Sequence, residues 1–198
     1  MRTVFKPGTM IYPIPAVMVS CGNATDGYNI ITIAWTGTIC SDPAMCYISV
    51  RKNRYSHEII RHNGDFFINL VNRDLAQAAD WCGVKSGRDV NKFKAMHLTP
   101  VHFESMNAPY IEESPLSIAC KVQQIIELGS HDMFIAQVTH VLADNQYMDP
   151  RTNKFRLEDA DLITYNHGSY CLLGKKIGKF GWSVEKKKKA KKVKTPMM

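Results

Sequence analysis

Two runs, SIACKVQQIIEL at 117–128 and MFIAQVTHVL at 133–142, are separated only by Gly-Ser-His-Asp. Runs this long, rich in β-branched residues and joined by turn-forming ones, read as a β-hairpin. A second pair precedes it. In NIITIAWTGTI (29–39) the odd positions Ile31, Ile33, Trp35 and Ile39 are apolar, with Gly37 among them. The even positions Thr32, Ala34, Thr36 and Thr38 are small. Period-two alternation predicts one strand through this stretch. Ser41-Asp42-Pro43-Ala44 forms a turn, and MCYISV (45–50) returns as the partner strand. Further strands are expected in MIYPIPAVMVSC (10–21), FFINLV (66–71) and ITYNHGSYCLLG (163–174). Short helices are expected in three places: RYSHEIIRHNG (54–64), closed by Gly64; DLAQAADWCG (74–83), with Asp74 as N-cap and Gly83 past its end; and the stretch from Asp89. Paired strands without long helices between them argue against a doubly wound α/β fold. The expected fold is mainly β, a closed or sandwich-like sheet of six or seven strands with short peripheral helices.

At 198 residues the chain suits one domain. A chain of this size buries about 70% of its unfolded surface, so it needs no staples. The net charge of +7 is local. Lys186–Met198 holds seven Lys and no acid, which leaves 25 − 7 = 18 basic residues against 18 acidic ones. We therefore divide the chain into a domain at 1–184 and a lysine-rich, disordered tail at 185–198. Such a block is either a self-repelling solvated tail or a contact for nucleic acid or an acidic partner. It brings no recognition fold, so nucleic acid is not the expected partner. Pro7, Pro13 and Pro15 interrupt the amino terminus, which lacks the apolar core of a secretory signal. No apolar run approaches the ~20 residues that span a bilayer. A cytoplasmic protein without membrane attachment is expected. The cysteines at 21, 40, 46, 82, 120 and 171 form no C-x-x-C and no zinc spacing, so no metal site is expected. P-loop, G-x-G-x-x-G, G-x-S-x-G and H-E-x-x-H motifs are absent.

A site is nonetheless legible in residues 29–56. A helix starting near Asn53 points free N–H groups at the space beyond strand 45–50. Arg51, Lys52, Arg54, Tyr55 and Ser56 enter the same space. Cations and hydroxyls at a helix start make a phosphate site. The same residues also fit a basic surface turn. The neighbouring face Thr32, Ala34, Thr36 and Thr38 lacks bulk, so a planar ring could lie on it; packing by a helix or a partner subunit is the other reading. Together the two features point to a flat ligand with a phosphorylated tail.

The ordered set Asn29-x-x-Thr32-x-Ala34-Trp35-Thr36-Gly37, Cys40-x-Asp42-Pro43 and Ser49-x-Arg51-Lys52-x-Arg54-Tyr55-Ser56 resembles the flavin reductase-like family, closest to its flavoredoxin branch. Phe66–Leu70, Cys82-Gly83, Ser86-Gly87-Arg88-Asp89-x-x-Lys92-Phe93 and Gly129-x-His131 extend the resemblance over about residues 10–182. The pattern departs in two places, and the lysine tail is no part of it. Gly129-Ser130-His131 stands for Gly-Asp-His, and Asp42-Pro43-Ala44 for Asp-Pro-Pro. The resemblance implies an FMN-binding split β-barrel that forms a homodimer, with FMN at the subunit interface. Thr32, Ala34, Trp35, Thr36, Gly37 and Thr38 would line the isoalloxazine. Ser49, Arg51, Lys52, Tyr55 and Ser56 would hold the ribityl phosphate, with Asn29 and Val50 completing the cofactor-binding set. Lys92 would approach the flavin. His131 is the catalytic candidate, read either as a contact to the flavin or nicotinamide region or as an exposed turn residue. The implied function is redox: electrons or hydride pass through FMN between NAD(P)H or a protein donor and an acceptor. The alternative is a non-catalytic binding module acting through the lysine tail.

Overall fold

The computed structural model describes residues 1–185, so the expected tail, apart from Glu185, lies outside the described residues. The strands are β1 (Ile14–Pro15), β2 (Val17–Asn23), β3 (Gly27–Ile33), β4 (Thr36–Ser41), β5 (Ala44–Arg51) and β6 (Asp65–Leu70). They continue as β7 (Pro100–Val101), β8 (Tyr110–Ile111), β9 (Leu116–Glu127), β10 (His131–Ala143), β11 (Ile163–Asn166) and β12 (Ser169–Leu172). The α-helices are α1 (Tyr55–Asn63), α2 (Ala76–Val84) and α3 (Lys92–Ala95). The mainly β fold with short peripheral helices is the expected one.

Seven strands form one antiparallel sheet in the order β3-β2-β6-β9-β10-β5-β4. The two edge strands, β3 and β4, are consecutive in sequence and joined only by Ala34 and Trp35. Three Cα–Cα steps span at most about 11 Å, so the sheet must roll until its edges almost meet. The Ser49 N–H donates to the Trp35 carbonyl at 2.8 Å, which carries the β4–β5 ladder into this link. The barrel interior is filled by alternate residues of these strands, among them Val17, Val19, Ile31, Ile33, Ile48, Phe66 and Phe134. A second cluster packs α2 and α3 on the outside of the barrel, with Met18 and Ile30 meeting Ala79, Cys82 and Phe93. β2 and β3 are therefore buried on both faces. A small sheet, β1-β11-β12, lies apart from the barrel sheet.

Four local expectations are corrected. The single strand through 29–39 breaks at Ala34–Trp35, because those residues carry the chain from one sheet edge to the other. Before the break the odd positions Ile31 and Ile33 pack into the barrel interior; after it the odd-numbered Trp35 is exposed and the even-numbered Thr36 is buried. Thr32, Ala34, Thr36 and Thr38 therefore do not form one continuous face. Gly83 lies inside α2, not beyond it; a Cβ there would come within 3.2 Å of the Thr32 Cβ, a tight contact that reflects the close packing of α2 on β3. The start of α2 is held by Asn72, whose Oδ1 accepts from the Leu75 N–H at 3.1 Å, and not by Asp74. The third helix begins at Lys92 with Asn91 as its cap, not at Asp89.

Candidate functional site

The barrel end where β5 turns into α1 carries the site. α1 opens on Arg54, which is extended, and no side chain caps its first turn. Ile60 is buried against the barrel and Gly64 closes the helix in the left-handed conformation, its N–H bonded to the Ile60 carbonyl at 2.9 Å. The positive end of the helix faces a cavity of about 350 Å³. The cavity is lined by Arg51, Arg54, Lys85, Arg88 and Lys92 and by no carboxylate, with Asn29, Tyr55, Ser56, Ser86 and Gly87 among its other walls.

The hydroxyl and amide groups here are set by buried contacts. Asn29, almost fully buried, donates from Nδ2 to Ser56 Oγ at 2.8 Å. Its side chain occupies the space beside Gly87, where a Cβ would stand 2.1 Å from Asn29 Oδ1. Lys92 is buried and donates to the carbonyls of Ile30 at 2.8 Å and Cys82 at 2.7 Å. Burial pushes its pKa down, nearby Cys82 pulls it up and Arg54 adds to the lowering. Lys92 therefore spends two of its three N–H bonds pinning β3 to the end of α2, at the cavity wall. Burial pushes the Cys82 thiol up to about 11, so this cavity-lining sulfur is protonated and unreactive near neutral pH. Arg88 lies 5.0 Å from the centre of the Tyr55 ring, at the cavity rim.

A second cavity of about 260 Å³ shares Ile31, Arg51 and Arg54 with the first. Its walls are the chain from Ile31 to Trp35, Ser49 and Val50, Gly83 and Val84 of α2, His131, Asp80, Tyr165 and Tyr170. The Thr32 hydroxyl is committed to the Ala79 carbonyl, and the Thr36 hydroxyl to the Tyr47 carbonyl at 2.6 Å. The hydroxyls expected to face a ring are therefore spent on backbone. His131 opens β10 opposite Arg51, with Nδ1 2.8 Å from Ser130 Oγ. Burial and then the Arg51 charge hold its pKa below the ordinary value. Tyr170 donates to Asp80 at 3.2 Å and packs on Tyr165, with ring centres 5.7 Å apart.

Of the positions nominated from sequence, Asn29, Arg51, Tyr55, Ser56 and Lys92 meet at the first cavity. Thr32, Ala34, Trp35, Ser49, Val50 and His131 meet at the second. Thr36 lines a different cavity, beneath the arm Gly8–Tyr12. Gly37 backs onto the Tyr47 ring, and Thr38 is exposed. Lys52 is not brought to either site cavity; its Nζ lies 3.3 Å from both Glu127 and Asp132. Lys85, Arg88, Asp80, Tyr165 and Tyr170 were not nominated. The Ser86–Asp89 motif flagged the loop that carries Arg88, but no local pattern marks the tyrosines. Among the described residues no cluster of metal-ligating side chains exists. Among the described residues no helix is long and apolar enough to cross a membrane.

Cations that form no ion pair among the described residues, gathered around an uncapped helix start, can bind an anion such as a phosphate. The adjoining slot, walled by strand backbone and two tyrosines, can hold a flat ring. The comparisons agree with this chemistry. A model of the flavin reductase like domain matches residues 9–174. Flavoredoxin of Desulfovibrio vulgaris (Miyazaki F) is similar with a TM-score of 0.85 and 28% identity, over 93% of this chain and 100% of that one. A flavoredoxin from Methanosarcina acetivorans shares the fold with a TM-score of 0.83 at 24% identity, over 93% and 100% of the two chains. The reductase component of a 4-nitrophenol 4-monooxygenase/4-nitrocatechol 2-monooxygenase from Rhodococcus opacus is 25% identical over 133 residues, 62% of this chain and 68% of that protein.

Proposed function

The chain belongs to the flavin reductase like domain family, and on that premise we propose that it binds FMN and works as a flavin-dependent oxidoreductase. The observation that carries the reading is the cavity at the start of α1, which gathers cations and no carboxylate. Arg51, Arg54, Ser56 and the first-turn N–H groups of α1 hold the phosphate, and Lys85 and Arg88 close its rim. The ring lies in the adjoining slot against the backbone of Ile31–Trp35. Lys92 fixes β3 beneath it. FMN supplies reversible one- and two-electron chemistry. His131, whose pKa burial and Arg51 hold below the ordinary value, offers a hydrogen bond beside the ring.

We place Thr36, Gly37 and Thr38 at the interface of a homodimer. Support comes from apolar side chains that find no cover among the described residues. Ile11 is 87% exposed, Ile177 90%, and Phe180 fully exposed. A second copy would bury them. Light scattering should give about twice the 22.4 kDa chain mass; a monomer at micromolar concentration refutes this part.

The donor is NAD(P)H or a reduced redox protein. Incubation with FMN followed by desalting tests the cofactor: bound yellow chromophore is expected, and a protein that stays colourless ends the reading. Steady-state oxidation of NADH and NADPH by the loaded protein then separates the donors. No turnover with either leaves protein-to-protein electron transfer.

A further inference from the structure

Three residues that line neither site cavity form a network at the same end of the barrel. His57, buried in the first turn of α1, places Nε2 2.8 Å from Oδ2 of the fully buried Asp132. Lys52, half exposed, stands 3.3 Å from the other carboxylate oxygen and 3.3 Å from Glu127. The His57 ring meets Phe134 edge-on, with ring centres 5.3 Å apart. Each member is the next residue after one that lines a cavity: His57 follows Ser56, Lys52 follows Arg51, and Asp132 follows His131. β5 and β10 are already paired here, His131 opposite Arg51 and Asp132 opposite Val50. The first turn of α1 has no such ladder, and the His57–Asp132 contact ties it to β10.

We propose that the His57–Asp132 pair, with Lys52 as outer counter-ion, is the positioning device of the phosphate cavity. A buried carboxylate is tolerated only when it is paired, and pairing fixes both partners. Oδ1 of Asp132 receives no hydrogen bond among the described residues, and the Lys52 ammonium supplies its counter-charge. The pair thereby holds the α1 start against the end of β5. Ser56, Arg51 and the helix N–H groups then converge on one point. A phosphate site depends on that convergence, and displacement by about an ångström is costly. These residues touch no ligand and act through their neighbours. The assignment rests on the FMN reading above.

The test compares FMN with riboflavin, which has the same ring and no phosphate. Dissociation constants are measured by flavin fluorescence for the wild type, Asp132→Asn, His57→Leu and His57→Gln. Asp132→Asn and His57→Leu should each weaken FMN by about tenfold or more and riboflavin by less than about threefold. His57→Gln keeps a side-chain N–H donor and should retain most of the FMN affinity. Riboflavin binding also reports that a variant folds. Where one does not, Lys52→Gln carries the same test from the half-exposed end, with an expected FMN loss of about threefold. Equal losses for both flavins, or no loss for either, overturn the proposal. A wild type that binds FMN no better than riboflavin overturns the phosphate reading itself.

Discussion

Gly87→Ala probes the geometry of the cavity wall without touching any charge. The backbone of Gly87 lies outside the left-handed region, so alanine carries no conformational penalty there. The cost is steric. The three atoms nearest a new Cβ all belong to Asn29, at 2.1, 2.6 and 2.9 Å. Asn29 has little room to yield, since it is 4% exposed and bonded to Ser56. Overpacking of this kind costs about 1–3 kcal/mol. Asn29→Ala loses the bond to Ser56, worth about 0.5–1.5 kcal/mol. The double variant keeps that loss and relieves the clash, so it should be more stable than the sum of the singles by at least about 1 kcal/mol. The assay is denaturant unfolding of the four proteins, with FMN affinity as a second readout. In a chain of this length about 1 kcal/mol also moves Tm by roughly 2–4 °C. Strict additivity, or a Gly87→Ala protein as stable as the wild type, would refute the reasoning.

The other expectations concern charge and sulfur. Arg51→Ala should weaken FMN by about ten- to a hundredfold, since a charge-assisted bond is worth about 1.5–3 kcal/mol. Lys52→Ala should cost about threefold, because Lys52 is paired with Glu127 and Asp132 and acts on the cavity only through them; a loss equal to that of Arg51→Ala would return Lys52 to the phosphate. Burial would raise the Asp132 pKa, but His57 and Lys52 outweigh it and hold the carboxyl below its ordinary value. A depressed folded-state pKa contributes stability that is present above the unfolded value, about 3.9, and is lost as pH falls through the folded one. Asp132→Asn should therefore flatten the acid limb of an unfolding profile below about pH 4. Native thiol titration should label Cys171 first and half-exposed Cys40 next, with Cys21, Cys46, Cys82 and Cys120 reacting only after unfolding; rapid labelling of Cys82 would contradict the closed packing of α2 on β3.

The parts of the site legible in sequence are those whose residues lie close together along the chain. Arg51, Arg54, Tyr55 and Ser56 sit within one strand end and one helical turn, so their convergence follows from local geometry. The β9–β10 hairpin was equally legible, because two long β-type runs flank a four-residue turn. The seam was not. Trp35 and Thr36 continue the alternation of β3 without a break, and only the order of the whole sheet reveals that the chain changes edges there. Lys52 looked like Arg51 until the fold brought Asp132 and Glu127 beside it, 80 and 75 residues away in sequence. Lys92 likewise reads as a surface residue on a short helix, yet it is buried with two carbonyls. Tyr165 and Tyr170 reach the ring slot from a separate small sheet, a placement that no spacing in the sequence encodes.

The central claim is that one cavity takes the phosphate and the adjoining slot takes the ring of the same FMN molecule. The direct measurement is the affinity of the wild-type protein for FMN and riboflavin at two salt concentrations. The account expects FMN to bind at least about tenfold tighter than riboflavin, with an advantage that shrinks as salt rises. Equal affinities, indifferent to salt, would contradict it.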